Sequence, residues 1–263
     1  MIEFRDVTKT FNDEVILRNV SFKIDRGETK MILGASGSGK STILKLILGL
    51  IRPDSGQILI EDNDITRMTE KELVVIRKEI GMVFQEGALF DSLTVRENVG
   101  YRMYEAASMD EGEIEIVVRK LLGFVGLEDA IDKMPAELSG GMKRRVGIAR
   151  ALVGTPKIIL YDEPTAGLDP ITKRTIVELM IKLRDLEGVT SVFVTHDLRA
   201  AALISTQYAD VDSEGNIRIV RDSEHVCLIN INYIMLLDGK ILFEGNLHEL
   251  KASQESYIQN FVI

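Results

Sequence analysis

The sequence contains a single cysteine, Cys227, among 263 residues. An intrachain disulfide and a cysteine-rich zinc site are therefore both excluded, and we expect Cys227 to be a small buried apolar residue. Basic residues are also in deficit, because 32 Lys and Arg stand against 41 Asp and Glu, for a net charge of -9. Proteins that bind nucleic-acid phosphates normally have the opposite balance, so we expect no nucleic-acid partner.

Long hydrophobic runs are lacking as well. The longest apolar stretch, residues 226–237, is interrupted by Asn230 and Asn232 and is shorter than the ~20 residues that a membrane span needs. The first residues alternate apolar and charged side chains and contain no signal-peptide core. We therefore expect a cytoplasmic protein, in which any membrane role depends on a partner.

Apolar runs that end in loops predict an α/β fold. Short strands are predicted over residues 2–5, 15–17 and 20–24, with turns between them. The apolar runs at 158–161 and 192–195 are typical of buried parallel strands joined by crossover helices.

Helices are predicted where capping pairs precede an apolar stripe. Thr69 with Glu72, and Asp110 with Glu113, have the spacing of a capping box. Behind Asp110 the apolar residues recur at helical spacing, which indicates core packing rather than a binding groove. This stripe consists of Ile114, Val117, Val118, Leu121, Leu122 and Val125. Residues from about 86 to 155 are accordingly predicted to form an inserted helical block.

A glycine-rich segment between a predicted strand and a predicted helix has the pattern G-x-x-x-x-G-K-[ST] of a P-loop. Its residues are Gly34, Ala35, Ser36, Gly37, Ser38, Gly39, Lys40 and Ser41. In such a loop the backbone N–H groups point at phosphate oxygens, the lysine reaches the terminal phosphates and the Ser hydroxyl binds Mg²⁺. The segment therefore predicts a nucleoside triphosphate site with Mg²⁺.

Candidate catalytic residues follow three later strands. Asp162 and Glu163 end an apolar strand, where the first carboxylate can hold the Mg²⁺ shell and the second can accept a proton from water. His196 follows the next strand and is either a γ-phosphate sensor or a structural histidine. Gln85 is a candidate for positioning water or metal. Spacing alone does not decide between these roles for His196 and Gln85.

The segment Leu138-Ser139-Gly140-Gly141 precedes a helix predicted from about Met142 to Leu152. One hypothesis is a second anion site that completes the P-loop of another copy. The alternative is an ordinary N-cap whose glycines allow close packing. The basic run that follows, residues 143–145, is interpreted as a solvated helix face rather than a phosphate or lipid site.

Taken in order along the chain, these motifs resemble those of ABC transporter nucleotide-binding subunits over about residues 1–250, and Ala166-Gly167-Leu168-Asp169 fits the same order. The resemblance implies ATP and Mg²⁺ as cofactors and a head-to-tail homodimer that closes on two ATP molecules. It implies Glu163 as general base, Gln85 and His196 as further catalytic residues, and Mg²⁺ at Ser41, Gln85 and, through water, Asp162. It also places Phe11 against adenine, Thr42 in the nucleotide site, and Ser139, Gly140, Gly141 and Asp169 at the partner's ATP.

A narrower resemblance lies in residues 84–99 and 139–145, which are similar to the ATPase of the Mla/MCE-type phospholipid transporter, a system of Gram-negative envelopes. Met142 stands where other ABC signatures commonly have Gln, a change of small expected effect. The implied partners are an integral-membrane permease, a small STAS-like regulatory subunit and a periplasmic MCE lipid-binding protein. The implied location is the cytoplasmic face of the inner membrane.

The resemblance further implies one ABC ATPase domain over residues 1–263, with a P-loop NTPase (RecA-like) core. Residues 1–85 and 156–250 are assigned to an N-terminal antiparallel β subdomain and this core, and residues 86–155 to the helical subdomain. Residues 207–232 depart from the family and are interpreted as an added β-meander, a tolerated surface insertion. Residues 251–263 are assigned to a C-terminal tail.

Two other functions stay open at this point. One is an ABC protein that acts on ribosomes or DNA without a permease, although the chain has neither two ATPase modules nor a long coiled coil, and its acidity disfavours this class. The other is a scaffold that binds ATP without hydrolysing it, which Glu163 and His196 disfavour.

Overall fold

The fold was analysed in a computed structural model that describes residues 1–107, 109–221 and 230–262. The predictions for Cys227 and for the segment 222–229 of the expected meander lie outside the described residues. The strands are β1 (Ile2–Phe11), β2 (Glu14–Ile24), β3 (Thr29–Leu33), β4 (Ser55–Ile60), β5 (Asn63–Asp64), β6 (Ile80–Val83), β7 (Ile158–Asp162), β8 (Thr190–Thr195), β9 (Gln207–Val211), β10 (Ile217–Arg221), β11 (Ile231–Leu237) and β12 (Lys240–Gly245). The helices are α1 (Lys40–Ile47), α2 (Glu70–Arg77), α3 (Val95–Ala106), α4 (Glu111–Phe124), α5 (Gly140–Ala151), α6 (Pro170–Glu187), α7 (Leu198–Thr206), α8 (Leu247–Ala252) and α9 (Ser256–Val262).

The larger sheet has the strand order β12-β11-β3-β8-β7-β6, and only its edge strand β12 runs antiparallel to its neighbour. Every residue of β3 and β8 is buried, as expected for strands that have helices on both faces. The carboxyl ends of β3, β6, β7 and β8 lie at one edge of the sheet. In open α/β sheets this edge is where ligands bind.

The smaller sheet is antiparallel, with the order β2-β1-β4-β5. The prediction of two short strands at 15–17 and 20–24 was wrong in one respect. Both segments belong to a single strand, β2. Asn19 has a φ of 47°, and the pairing of β1 with β2 shifts register around this position. The strand therefore bends at a bulge without ending.

The helical block between β6 and β7 contains α3, α4 and α5. The predicted stripe on α4 faces the core: Ile114, Val118, Leu122 and Val125 are buried, and the other two residues pack against them. The capping box at Asp110 is confirmed by two bonds with Glu113, of 2.9 and 3.0 Å. At the other predicted box, the Glu72 carboxylate accepts bonds from the backbone N–H and the hydroxyl of Thr69.

The inserted segment after α7 begins as a hairpin of β9 and β10, a two-stranded sheet of its own. Two residues of α6 hold its start: Arg184 donates to the Gln207 carbonyl at 2.8 Å, and Asp185 accepts from the Ala209 N–H at 2.8 Å. The main-sheet strand that follows begins at Ile231, so the interpretation of residues 207–232 as an insertion extends two residues too far. Asn232 is therefore part of the core sheet, where its side chain accepts a bond from the buried Lys30 at 3.0 Å.

The C-terminal residues fold back on the molecule, with Ile258 of α9 buried in the core. Tyr257 reaches the P-loop, where its hydroxyl accepts a bond from the Ala35 N–H at 3.1 Å. No helix in the described ranges is both long enough and apolar enough to span a membrane.

Candidate nucleotide site

The glycine-rich loop connects β3 to α1, as the sequence predicts. Gly39 caps α1 with a φ of 98°, a left-handed backbone conformation that residues with a side chain rarely adopt. A Cβ at this position would lie 2.8 Å from Leu17 Cδ2, so space as well as backbone conformation requires glycine. The helix N-terminus that this turn creates carries positive potential toward an anion.

Lys40, the first residue of α1, is buried and turned into the loop. Its Nζ donates to the Gly34 and Ala35 carbonyls at 2.8 and 2.9 Å and lies 4.0 Å from Glu163 Oε1. Burial lowers the pKa of Lys40, and the carboxylates of Glu163 and Asp162 partly oppose this effect. The ammonium is thus held beside the loop whose N–H groups would face phosphates.

Ser41 and Asp162 bring β7 and α1 together at the same point. The Ser41 hydroxyl donates to Asp162 Oδ1 at 3.0 Å. Burial raises the pKa of Asp162; the nearby Glu163 adds to this, while the Ser41 bond and Lys40 oppose it. A hydroxyl and a carboxylate are hard oxygen donors, so this pair fits Mg²⁺.

Glu163 is the centre of a second group of contacts. Its Oε1 lies 2.8 Å from His196 Nδ1, and its Oε2 accepts from the Thr195 hydroxyl at 3.1 Å. Its backbone adopts a φ of 46° and donates to the Val194 carbonyl at 2.9 Å. A left-handed conformation is costly for a residue with a side chain, and such strain clusters at functional sites. The fold therefore holds a carboxylate where glycine would be easier to accommodate.

These groups line one cleft of about 650 Å³. Its lining residues are Phe11, Ile16, Ala35, Ser36, Gly37, Gly39, Lys40, Ser41, Thr42, Gln85, Asp162, Glu163 and His196. Gly34 and Ser38 belong to the same loop without being among these lining residues. Phe11 is 41% exposed, which leaves a ring face available for stacking, and Lys9 Nζ lies 5.1 Å from the ring centroid.

Four predicted site residues lie apart from this cleft. Ser139 caps α5 by accepting from the Met142 N–H at 3.2 Å, and Asp169 caps α6 by accepting from Ile171 and Thr172. A Cβ on Gly141 would lie 2.2 Å from Thr172 Cγ2, whereas one on Gly140 would meet no atom of the described chain within 4 Å. The alternative interpretation, an N-cap with close glycine packing, thus describes Ser139 and Gly141 correctly within one chain.

The ABC transporter family model matches residues 17–166. This match covers more than half of the chain and includes the P-loop, Gln85, Ser139–Gly141 and the Asp162–Glu163 pair. The chain belongs to the ABC transporter family. As an ABC ATPase it hydrolyses ATP with Mg²⁺, and its fold class is that of the family.

Three relatives of this ABC ATPase have different names, and two of these names state what is transported. The chain is 38% identical to the chloroplastic protein TRIGALACTOSYLDIACYLGLYCEROL 3 of Arabidopsis thaliana, over 99% of this chain and 73% of that protein. It is 36% identical to the intermembrane phospholipid transport system ATP-binding protein MlaF of Haemophilus influenzae, over 100% and 90%. It is 44% identical to the methionine import ATP-binding protein MetN of Carboxydothermus hydrogenoformans, over 74% and 58%.

A solved ABC structure has the same fold. The dimeric post-hydrolysis state of the ATP-binding cassette MJ0796, bound to ADP and Pi, matches with a TM-score of 0.78 and 34% identity. The match covers 94% of this chain and 99% of that one. In that protein, two copies are therefore found together with the products of ATP hydrolysis.

Two residues beside the nucleotide loops, Arg144 and Tyr257, have contacts that the sequence does not indicate. The basic run 143–145 is not a solvated face at Arg144, which is buried and donates to the carbonyls of Gln85 and Ala166. The groups that accept these bonds from Arg144 are backbone carbonyls, which every residue has, so no sequence pattern predicts them. The bond of Tyr257 to the P-loop was missed for the same reason.

Proposed function

We propose that the chain works as a homodimer that hydrolyses ATP to drive a membrane permease, and that the transported molecule is a phospholipid. The observation that carries the ATPase part is the cleft in which Lys40, the Ser41–Asp162 pair and the Glu163–His196 pair converge. The phospholipid part is supported by the motif resemblance and by the similarity to MlaF over the whole chain.

Within one chain, binding depends on the P-loop and its neighbours. Phe11 stacks on adenine, and the N–H groups of residues 36–42 and the Lys40 ammonium face the phosphates. Ser41, Gln85 and, through water, Asp162 would hold Mg²⁺. When bound, Mg²⁺ neutralises phosphate charge. The hydroxyl of Ser41 donates to the carboxylate of Asp162 at 3.0 Å, so the fold already brings these two groups to one point of the cleft.

Hydrolysis depends on Glu163 and His196. Water attacks the γ-phosphorus, its proton passes to the Glu163 carboxylate, and the bond between the γ-phosphorus and the bridging oxygen breaks to release ADP and phosphate. The contacts of Glu163 with Thr195 and His196 fix the direction of its carboxylate. His196 is 61% exposed in its side chain, so its ring has access to the γ-phosphate and water.

The second copy supplies the remaining contacts. Its Ser139, Gly140, Gly141 and Asp169 face the ATP held by the first copy. The open space beside Gly140 supports this arrangement, because a phosphate can approach the α5 N-terminus there without meeting a side chain. The dimeric state of MJ0796 with ADP and Pi supports it further.

The permease docks beside Gln85, in a groove of about 1010 Å³ between α2, β6, α3 and α5. Phe84, Phe90 and Tyr101 line this groove and are 39%, 46% and 38% exposed, which is unusual for large apolar side chains. Because Gln85 lies between this groove and the ATP cleft, a permease seated here senses the nucleotide state. The chain then lies on the cytoplasmic face of the membrane, with a STAS-like subunit and a periplasmic MCE protein as further members of the complex.

Glu163→Gln tests the ATPase mechanism. The amide keeps the shape of the side chain but does not accept a proton, so phosphate release should fall by about 10²–10⁴-fold. Loss of a negative charge near the γ-phosphate also favours the closed state, so the variant should accumulate as an ATP-bound dimer. Phosphate release and size-exclusion chromatography with Mg-ATP measure both effects. Turnover near that of the wild type would remove Glu163 from the role of base.

Purification from detergent-solubilised membranes tests the transport function. The proposal expects a permease subunit to co-purify, with phospholipid enriched in the complex relative to the whole membrane. Enrichment of methionine-binding components instead would favour the alternative that MetN represents. A wild-type chain that hydrolyses ATP but binds no membrane subunit would contradict the transport function and leave the ATPase intact.

A further inference from the structure

Helix α5 lies directly against the loop of residues 85–88, which connects β6 to the helical block. A Cβ on Gly87 would lie 2.7 Å from the Lys143 carbonyl oxygen, and one on Gly147 would lie 3.2 Å from Gly87 Cα. The two backbones are thus in contact, and glycine on each side makes that approach possible. The loop that contains Gln85 rests on the helix that begins after Ser139.

Two arginines of α5 fasten this loop. Arg150 donates to the Gly87 and Ala88 carbonyls, both at 2.8 Å. Arg144 donates through Nε to the Gln85 carbonyl and through Nη2 to the Ala166 carbonyl. Arg144 therefore extends the contact beyond the loop, to the segment that links Glu163 with Asp169.

The position of Arg144 joins three parts of the nucleotide machinery. Gln85 lines the ATP cleft, and the Ala166 N–H donates to the Glu163 carbonyl at 3.2 Å. Helix α5 carries the Ser139 cap, which the proposed dimer presents to the other copy's ATP. One guanidinium thus spans a cleft loop, the segment behind the general base and the helix that serves the neighbouring subunit.

Filling space in the core does not explain why a charged residue is buried at position 144. The residue is 6% exposed, and its Nη1 has no hydrogen-bond partner among the described residues. Burial lowers the pKa of Arg144 and Glu86 partly opposes this, but an arginine stays charged in proteins. An apolar side chain would fill the same space without burying a charge. The planar fork of the guanidinium is what allows contact with two carbonyls at once.

We propose that Arg144 is a positioning residue that makes the Gln85 loop, the 166–169 segment and α5 move as one unit. Closure of the dimer at Ser139 then sets Gln85 and Asp169 in place in the same motion. This inference rests on the proposed ATPase dimer. Because Arg144 is not among the residues that line the cleft, its loss lowers the rate of hydrolysis rather than the affinity of one chain for ATP.

The test compares Arg144→Met and Arg144→Lys with Arg145→Met as a matched control. Arg145 is the next residue of α5, and it also donates to two backbone carbonyls, those of Val125 and Gly126 at 3.1 and 3.2 Å. Both acceptors lie at the end of α4, outside the nucleotide loops. Phosphate release is measured over a range of ATP concentrations, beside melting temperature and ATP affinity.

We expect Arg144→Met to lower kcat by about 10–10²-fold with loss of cooperativity in ATP, while the ATP affinity of the monomer changes by less than about twofold. Arg145→Met should have a lower melting temperature than the wild type but the same kcat and the same cooperativity in ATP. Arg144→Lys retains the charge without the fork, so it should fold and still lose kcat.

Equal kcat values in the Arg144 and Arg145 variants, or full activity in Arg144→Lys, would overturn the proposal. If Arg144→Met does not fold, Arg144→Lys alone decides. A wild type with neither turnover nor an ATP-driven dimer would instead contradict the proposed function, and this inference with it. An active wild type with an Arg144 variant of unchanged kcat is a different result, and it would overturn only the inference about Arg144.

Discussion

The two halves of the proposed ATP site differ in how far one chain completes them. In the cleft half, the functional side chains already contact one another: Ser41 with Asp162, and Glu163 with His196. In the other half, Ser139 and Asp169 bond only to the first turns of their own helices among the contacts described. One half is thus preorganised at the edge of the sheet, whereas the other consists of helix N-termini, which we propose bind the phosphates of the other copy's ATP.

This difference means that ATP binding to one chain and closure of the dimer depend on different parts of the molecule. The cleft half depends on strands β3, β7 and β8, whose ends are fixed by parallel pairing in the core. The other half depends on helices α5 and α6, which pack on that core from outside. Changes in the first half should therefore act on a single chain, and changes in the second half only on the dimer.

Lys40→Ala should have the largest effect on the ATP affinity of one chain, because it removes the buried cation of the cleft half. The monomer should bind Mg-ATP about 10–10²-fold more weakly, since phosphate charge loses a charged donor. Calorimetry on the isolated chain measures this affinity. Unchanged binding would show that the loop does not hold the nucleotide.

Ser139→Glu should abolish steady-state turnover while leaving the monomer's ATP affinity nearly intact. The new carboxylate would face the γ-phosphate of the other copy and oppose closure by like-charge repulsion. Calorimetry and size-exclusion chromatography with Mg-ATP separate the two effects. Loss of ATP binding in the monomer would refute the assignment of Ser139 to the partner's site.

Mixing Ser139→Glu with Lys40→Ala subunits gives a dimer in which one composite site has two native halves. Restored phosphate release in the mixture would support the proposal that Ser139 of one copy acts at the ATP of the other copy. The comparison uses the same total protein concentration for the mixture and for each variant alone.

Asp162→Asn should raise the melting temperature of the nucleotide-free protein, because it removes a buried charge, while it lowers Mg-ATP hydrolysis. Burial and Glu163 raise the pKa of Asp162, so the ionised carboxylate destabilises the folded state at neutral pH. This destabilisation fades as the pH falls through the raised pKa. The difference in melting temperature between variant and wild type should therefore shrink on acidification, and a difference that grows would contradict the assigned sign.

Much of the cleft could be predicted because its residues are set by local chemistry. The P-loop, the Asp162–Glu163 pair and the capping box at Asp110 each occupy a fixed spacing in the sequence, and the structure has them where predicted. Arg144 and Tyr257 could not be predicted in this way, since each bonds to a backbone group far away in sequence. The start of β11 within residues 207–232 was missed because the polar Asn232 interrupts its apolar run, and only the tertiary partner Lys30 explains that residue.

The β9–β10 hairpin offers the smallest expected effect on chemistry. Deletion of residues 208–229, with a short Gly-Ser link from Gln207 to Asn230, should leave ATP hydrolysis within about twofold, as is usual for surface segments away from a site. Both end residues are kept because their carbonyls accept bonds from Arg184 and Thr29, at 2.8 and 2.9 Å. Assembly with the membrane partner should change, and co-purification measures it.

A milder variant keeps this prediction independent of folding. Val211 and Ile217 pair across the hairpin and are 50% and 41% exposed, so Val211→Ser with Ile217→Ser changes the surface but removes no backbone contact. If the hairpin contacts a partner, this double variant should weaken co-purification at unchanged turnover. Should the deletion fail to fold while the double variant assembles normally, the hairpin supports the core through α6, and its interpretation as a tolerated surface insertion is wrong.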